Sequence, residues 1–369
     1  MKIAYVITLS SPVGGAQVHV RDLSDGFVKK GHTCEVFVGS EGVMTDWLKE
    51  RSIRYHLVPF LKHSIHPVND RRAVHALAEQ LAGFKPDIVS THSSKAGIVG
   101  RLAARKLGIP SIYTAHGWSF LNSTGPLTAF LGWQAEVYCA RFTKKIITVS
   151  EHDRDLAIRK RLCDPAKIIA VHNGMPDVGA LHFASPGEAA RPVHLVMIAR
   201  FATQKDHTTL LQALAPLGDL EWKLSLVGDG PDEQKVRDLV QRLGLNDRVV
   251  FVGSVKSVLD ILKNAHVYIL ATLSEGLPRS IIEAMRAGLP IVSNRVAGIP
   301  EQVENGRNGF LHEVRDVNGL RDSLKRLILD PALRAKMGRE SRKLYLERFT
   351  LERLVEETFS VYEQALGGR

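Results

Sequence analysis

Cysteine is scarce in this chain of 369 residues: Cys34, Cys139 and Cys163 are the only three. They are scattered, odd in number and never spaced Cys-x-x-Cys. That argues against both a disulfide framework and a zinc site, and fits a reducing cytoplasm. Nor do about 18 apolar residues run together anywhere, which argues against a membrane-spanning helix. Aromatic residues make up only 7% of the chain, and no RNA- or DNA-binding motif accompanies them, so nucleic acid is not the expected partner. A complete Gly-x-Gly-x-x-Gly is also missing, which disfavours a nucleotide-dependent dehydrogenase.

The rest of the composition is that of a soluble globular protein, with 44% apolar and 24% charged residues. The length is too great for one ordinary core and predicts two domains. The first apolar run, Ile3 to Leu9, sits behind a lysine as in a signal peptide. It is short, contains Thr8 and lacks a small-residue cleavage pattern, so it reads as a buried first strand. The net charge of +10 is uneven: residues 1–175 carry 23 Lys and Arg against 14 Asp and Glu, and the remainder 26 against 25. An anionic membrane surface or a phosphorylated acceptor suits such a basic first half.

Both halves share one rhythm. "KIAYVI", "TCEVFV", "IRYHLV", "DIVST", "PSIYTA", "KIITVS" and "KIIAVH" are strand-like runs, with helical segments such as "AVHALAEQLAGF" and "KAGIVGRLAARKLG" between them. After a Gly-, Ala- and Pro-rich stretch at 175–192, read as a linker, the alternation restarts with "VHLVMIA", "WKLSLVG", "RVVFVG", "HVYILA" and "PIVSN". Val- and Ile-rich strands separated by helices predict α/β domains with doubly wound parallel sheets. The expected division is 1–180, 190–350 and a final helix at 351–369 that packs back towards the first domain and braces both. Ligands of such sheets bind outside the carboxyl ends of the strands, here in a cleft between the domains.

Several features fall at those ends. Arg200 and Lys205 follow "VHLVMIA", before a helix that Asp206 is placed to cap. Two cations beside a positive helix terminus suit a pyrophosphate, although an Arg and a Lys on a loop are also an ordinary solvated pair. "VGDGPDEQ" is a Gly-x-Gly too short to distinguish a fingerprint from a tight turn. "SEGLPRSIIEAM" sets Glu275 on a loop and Glu283 inside the helix expected from Pro278. An ionised carboxylate only accepts hydrogen bonds and can bridge two hydroxyls, so the two glutamates suit sugars, one a ribose and one a hexose. A solvent-facing loop glutamate beside a helical one near Arg286 is the plainer alternative. In the first half, Gly14-Gly15 lies between a strand and a helix, where bare backbone approaches an anion or simply makes a turn. His116-Gly117 follows another strand, and a lone histidine there is more often structural than catalytic.

The order Gly14-Gly15, His116-Gly117, Asn173-Gly174, Arg200-x4-Lys205 and Glu275-x7-Glu283 resembles family 4 glycosyltransferases, retaining enzymes of the GT-B fold. The likeness covers essentially the whole chain, and "EGLPRSIIEAMRAGLPIVSNRVAGIPE" is its most diagnostic part. The resemblance implies that Arg200 and Lys205 neutralise the donor diphosphate, that Glu283 holds the ribose and that Glu275 contacts the transferred sugar. Gly276 and Leu277 match backbone donors beside sugar and phosphates. His116 matches a histidine at the anomeric side, Gly14 and Gly15 a loop closing on donor and acceptor, and Val255 the backbone that meets the base. The Phe-Ala-Thr-Gln between Arg200 and Lys205 departs from the family's usual residues there.

From the same resemblance follow a nucleotide-sugar donor (UDP before GDP), front-face substitution with retention and no required metal. The stretch from Thr91 to Phe120 looks like bacterial exopolysaccharide and capsule enzymes. That implies a saccharide or lipid-linked saccharide acceptor, surface polysaccharide synthesis, and a cytoplasmic protein peripherally attached to the inner leaflet. Arg101, Arg105 and Lys106 read either as part of a membrane-facing basic surface or as one solvated helix face. A GT-B sugar-nucleotide epimerase and a non-catalytic partner protein of the same fold are the alternatives.

Overall fold

In the computed structural model, which describes residues 1–64, 66–118, 120, 125–189 and 191–367, the chain forms two compact units. Unit 1 comprises Met1–Pro176 together with Leu351–Arg369, and unit 2 comprises Asp177–Thr350.

The sheet of unit 1 is built from β1 (Lys2–Ile7), β2 (Thr33–Val38), β3 (Arg54–Leu57), β4 (Ile88–His92), β5 (Ser111–Ala115), β6 (Lys145–Thr148) and β7 (Ile168–Ala170). All its pairings are parallel, in the order β3-β2-β1-β4-β5-β6-β7. Five of the six residues of β1 are buried, as a strand covered on both faces requires. Helix α1 (Gly15–Lys29) returns the chain from β1 to β2, and α2 (Val43–Glu50), α3 (Pro67–Phe84), α4 (Ser94–Leu107), α5 (Pro126–Ala140) and α6 (Glu151–Arg159) make the later crossovers. Strand order reverses between β1 and β4. At such a switch point two neighbouring loops leave the sheet in opposite directions and open a crevice.

Unit 2 repeats the plan. β8 (Val193–Ile198), β9 (Trp222–Val227), β10 (Val249–Gly253), β11 (Val267–Leu270), β12 (Ile291–Asn294) and β13 (Gly309–His312) are all parallel, in the order β10-β9-β8-β11-β12-β13. The reversal here lies between β8 and β11. Strand β13 has no counterpart among the sequence-derived strands. It is four residues long and opens on Gly309, where a Cβ would lie 1.9 Å from the Ile291 carbonyl oxygen, so the close pairing with β12 demands glycine. Helices α7 (His207–Leu214), α8 (Glu233–Arg242), α9 (Leu259–Lys263), α10 (Arg279–Ala287), α11 (Ile299–Gln302), α12 (Val317–Leu329) and α13 (Pro331–Arg348) belong to this unit.

The last helix, α14 (Leu351–Leu366), packs on α1 within unit 1. Its Leu354, Val355, Val361 and Tyr362 join Val20, Leu23 and Phe27 in one buried cluster. Tyr362 stacks on Phe27 with 5.5 Å between ring centres.

The stretch read as a linker is largely tied down. Arg334, only 1% exposed, donates from Nε to the Pro186 carbonyl at 2.6 Å and from a terminal nitrogen to the Glu188 carbonyl at 2.8 Å. Arg342 grips both carboxylate oxygens of Asp177 at 2.6 Å and lies over the Phe183 ring. Glycine, alanine and proline mark this segment as irregular; they carry no sign of two distant arginines that fasten it to unit 2.

A second difference concerns Arg101. It faces neither solvent nor a membrane: its side chain is fully buried, donates to Glu136 at 2.6 Å and stacks on the Tyr113 ring at 4.3 Å. Arg105 and Lys106 on the same helix do remain exposed.

Candidate functional site

The carboxyl edge of unit 2 gathers most of the residues singled out from the sequence. After β8 the chain runs through Arg200 to Asp206, whose side chain caps α7 by accepting from the Thr209 N–H at 3.1 Å. After β11 it runs through Thr272 to Pro278. The two loops are stitched together at the switch point: the Asp206 N–H donates to the Ala271 carbonyl at 2.9 Å, and the Leu273 N–H to the Gln204 carbonyl at 2.8 Å. An isolated antiparallel bridge joins Lys205 to Thr272. This backbone lacing carries Lys205 to Glu275, and the ammonium and carboxylate form a largely buried ion pair. The Thr272 hydroxyl also donates to Glu275 Oε1, at 3.0 Å.

Arg200 stands apart from that pair. Its side chain is exposed at the mouth of the loop. Phe201 anchors the loop from below: it is 1% exposed, its N–H donates to the Asp229 carbonyl at 2.8 Å, and its ring stacks on His207 at 4.7 Å. The phenylalanine that departs from the expected motif is therefore the residue that seats the loop. The glycines of "VGDGP" have a related duty. A Cβ on Gly228 would meet the Ala199 carbonyl oxygen at 2.2 Å, and one on Gly230 the Phe201 carbonyl oxygen at 2.2 Å, both at positive φ. They let the β9 loop lie against the β8 loop, a packing role rather than a dinucleotide fingerprint.

Pro278 caps α10 from one position before the first helical residue, with extended backbone (φ −65°, ψ 122°). Glu283 lies one turn inside α10 and is half-buried. Burial pushes the Tyr268 phenol on β11 well above its ordinary range, and the carboxylates of Glu283 and Glu275 add to the effect, so both glutamates lie within electrostatic reach of that one buried ring. The Gly276 carbonyl accepts from the Gly298 N–H at 2.9 Å, and the Pro278 carbonyl from the Gln302 side chain at 3.0 Å; these two bonds fix the loop to the start and end of α11. Leu277 is buried, and Val255, beyond β10, is exposed.

Unit 1 carries a second group at its own switch point. His92 ends β4, His116 follows β5, and His19 projects from the second turn of α1. Ring centres lie 4.7 Å apart for His19–His116 and 5.5 Å for the other two pairs. His92 Nδ1 and His116 Nε2 are 3.2 Å apart. Asn173 Oδ1 accepts from His19 Nδ1 at 3.0 Å, and Ser90 Oγ, which accepts from the Tyr362 hydroxyl at 2.8 Å, lies 3.1 Å from His92 Nε2. Burial, then the neighbouring His116, holds His92 well below the usual histidine range, so it is neutral at pH 7. The sequence pointed to His116 alone. His19 lies 73 residues before His92 and His92 24 before His116, in no local motif, and only the β1-β4-β5 strand order unites them.

Gly14 caps α1 with extended backbone, and Gly15 opens the helix. The Gly14 N–H is occupied by Gln17 Oε1 at 3.0 Å, while Gln17 Nε2 donates to the Leu9 carbonyl at 3.1 Å. Gln17, unremarked in the sequence, braces the loop.

Comparison with known proteins agrees in both halves. A model of Glycosyltransferase Family 4 matches residues 13–177, and one of Glycosyl transferases group 1 matches residues 181–344. The UDP-Gal:α-D-GlcNAc-diphosphoundecaprenol α-1,3-galactosyltransferase of Escherichia coli is 29% identical over 337 residues, 87% of this chain and 86% of that protein. The N-acetyl-α-D-glucosaminyl L-malate synthase of Bacillus anthracis is 27% identical over 99% of this chain and 98% of its own. Among solved structures, Anabaena HepE in complex with UDP superposes with a TM-score of 0.84 at 20% identity, covering 99% of this chain and 100% of HepE.

Proposed function

The chain belongs to the family 4 glycosyltransferases and has their GT-B fold of two Rossmann-like units; from that premise we propose that it moves a hexose or N-acetylhexosamine from UDP to a lipid-linked saccharide, with retention, in surface polysaccharide synthesis. The observation that carries the donor half of this reading is the junction of Lys205 with Glu275 at the β8–β11 switch point, with the exposed Arg200 at the start of the same loop.

Departure of the nucleotide places negative charge on the diphosphate while the sugar gains oxocarbenium character. Arg200 and Lys205 meet the first charge. Cations fixed before the reaction cost no reorganisation when it occurs, a contribution of several kcal/mol in comparable sites. Glu275 does two things: it holds the Lys205 ammonium in place, and its carboxylate accepts hydroxyls of the transferred sugar. Glu283 accepts the ribose hydroxyls, Gly276 and Leu277 line the sugar and phosphates, and the Val255 backbone meets the base. His116 serves the anomeric side, and the Gly14-Gly15 loop closes on donor and acceptor. The reading needs no metal at the diphosphate, because the cations and the α10 terminus supply the positive charge.

The acceptor half is supported by the Escherichia coli relative, a galactosyltransferase from UDP-Gal to α-D-GlcNAc-diphosphoundecaprenol. No helix of the described residues is long and apolar enough to cross a membrane. A peripheral position on the inner leaflet is supported by α5, where Leu127, Phe130 and Leu131 are 69%, 53% and 57% exposed at helical spacing on one face. Apolar side chains on the unit that carries most of the positive excess suit an anionic bilayer surface.

A screen of UDP-, GDP- and ADP-sugars for hydrolysis and for transfer to polyprenyl-diphosphate saccharides tests the reading. UDP release with extension of the lipid-linked sugar at retained anomeric configuration is the expected outcome. An epimerised sugar nucleotide formed without acceptor, or inversion, would overturn it.

A further inference from the structure

We propose that His19, His92 and His116 form a binding site for one zinc-type transition-metal ion in unit 1. One ligand atom from each lies within 4.8 Å of the other two. At a tetrahedral zinc with Zn–N bonds of 2.0–2.1 Å, ligand nitrogens sit about 3.3 Å from one another. His92 Nδ1 and His116 Nε2, at 3.2 Å, already have that separation. Closing the site asks for His19 to move inwards and for the His92 and His116 rings to turn from each other towards the ion.

The surroundings fix one of the tautomers that a cation needs and accommodate the others. Asn173 Oδ1 can only accept, so His19 keeps its proton on Nδ1 and presents the Nε2 lone pair. Ser90 Oγ receives the Tyr362 hydroxyl and lies 3.1 Å from His92 Nε2; with the Nε2–H of His92 donated to that oxygen, His92 Nδ1 is the nitrogen that meets a cation. Metal-bound histidines generally have such a partner on the far ring nitrogen, fixing both tautomer and ring plane. In the metal-free chain one proton lies between His92 Nδ1 and His116 Nε2. A cation takes its place, and His116 shifts to the tautomer protonated on Nδ1, so the ring stays neutral and no proton balance is left open.

Three imidazoles and no carboxylate in the cluster select zinc, cobalt, nickel or copper over magnesium or calcium, which prefer oxygen. Two of the ligands are almost wholly buried, His92 at 0% and His19 at 2%, while His116 is half-buried. The ion is thus reached past His116 and keeps one position open on that side. One consequence rests on the transfer reading: an occupied site withdraws His116 from the sugar, so this metal would inhibit rather than assist.

The test is a titration of the full-length, EDTA-treated and desalted chain with Co2+, followed by visible absorption, then with Zn2+. The expected result is one Co2+ per chain with the intense visible band of four-coordinate cobalt, displaced by one equivalent of Zn2+. His19→Asn and His116→Asn should each weaken binding by at least about tenfold, and Asn173→Ala by about 10–100-fold through loss of the supporting bond. Thermal melts identify any variant that fails to fold, and His116→Asn, on a half-buried loop position, is the safer of the two. Absence of the band in the wild type, or an undiminished band in both folded histidine variants, would overturn the site. Because the readout is spectroscopic, failure here is separable from failure of the transferase reading.

Discussion

Lys205 and Glu275, 70 positions apart, meet as an ion pair at the point where the strand order of unit 2 reverses. Neutralising an ammonium that is meant for a diphosphate weakens its pull on the phosphates in the free enzyme. It also keeps the long side chain from wandering. Glu275→Gln should therefore leave the affinity for free UDP unchanged or tighter, and lower kcat by roughly 10–100-fold, because contact with the changing sugar is lost. Steady-state kinetics with UDP calorimetry decide it. UDP affinity that falls in Glu275→Gln as far as in Lys205→Ala would show that the carboxylate serves the nucleotide rather than the sugar.

The seat of the donor loop was only partly readable in the sequence. Strand ends and the capping Asp206 follow from local pattern, since hydrophobic alternation and a side-chain cap are short-range effects. Arg200, Lys205, Glu275 and Glu283 are singled out by their order and spacing. The Lys205–Glu275 ion pair is not legible there, because it depends on β8 lying beside β11, a long-range pairing that no window contains. His19 and His92 were missed for the same reason. Arg101 was misread because a basic residue on a helix is ordinarily solvated, and its partner Glu136 lies two elements away on α5.

The Arg101–Glu136 pair gives a stability prediction. Removing one member strands the other charge in a dry interior, at a cost of about 3–5 kcal/mol. Arg101→Met should therefore lower the urea midpoint markedly, while Arg101→Met with Glu136→Leu should recover much of the loss. A double variant as unstable as the single one would mean that packing against Tyr113, rather than charge, is what Arg101 supplies.

His207 gives a pH prediction. Burial holds its imidazole at about 4, against an ordinary value of 6.5, and its Nδ1 donates to the Lys205 carbonyl at 3.1 Å. The folded state resists the proton and the unfolded chain does not. Stability is therefore full above pH 6.5 and falls as pH drops from 6.5 towards 4, by up to about 3 kcal/mol for this residue. His207→Asn keeps a donor and removes the titration, so its unfolding midpoint should change less between pH 7 and pH 5 than that of the wild type. Parallel profiles would assign the acid sensitivity to other groups.

For membrane attachment, flotation of the full chain with liposomes should rise with anionic lipid and fall with salt, at about 1 kcal/mol for each Lys or Arg near the surface. Replacing Leu127, Phe130 and Leu131 together by serine should weaken flotation at every salt concentration, since apolar insertion is not screened. Equal binding to neutral vesicles, or no effect of the triple change, would contradict a docking role for α5.

The central claim is that a nucleotide diphosphate binds unit 2 through fixed protein cations. Calorimetry of UDP binding in EDTA tests it most directly, comparing the wild type with Arg200→Ala, Lys205→Ala and Glu283→Gln. The account predicts that the wild type binds without metal, that each cation removed costs at least ~2 kcal/mol, about a thirtyfold loss, and that Glu283→Gln weakens UDP through the ribose. Wild-type affinity in both cation variants, or binding that vanishes in EDTA and returns with magnesium, would contradict it.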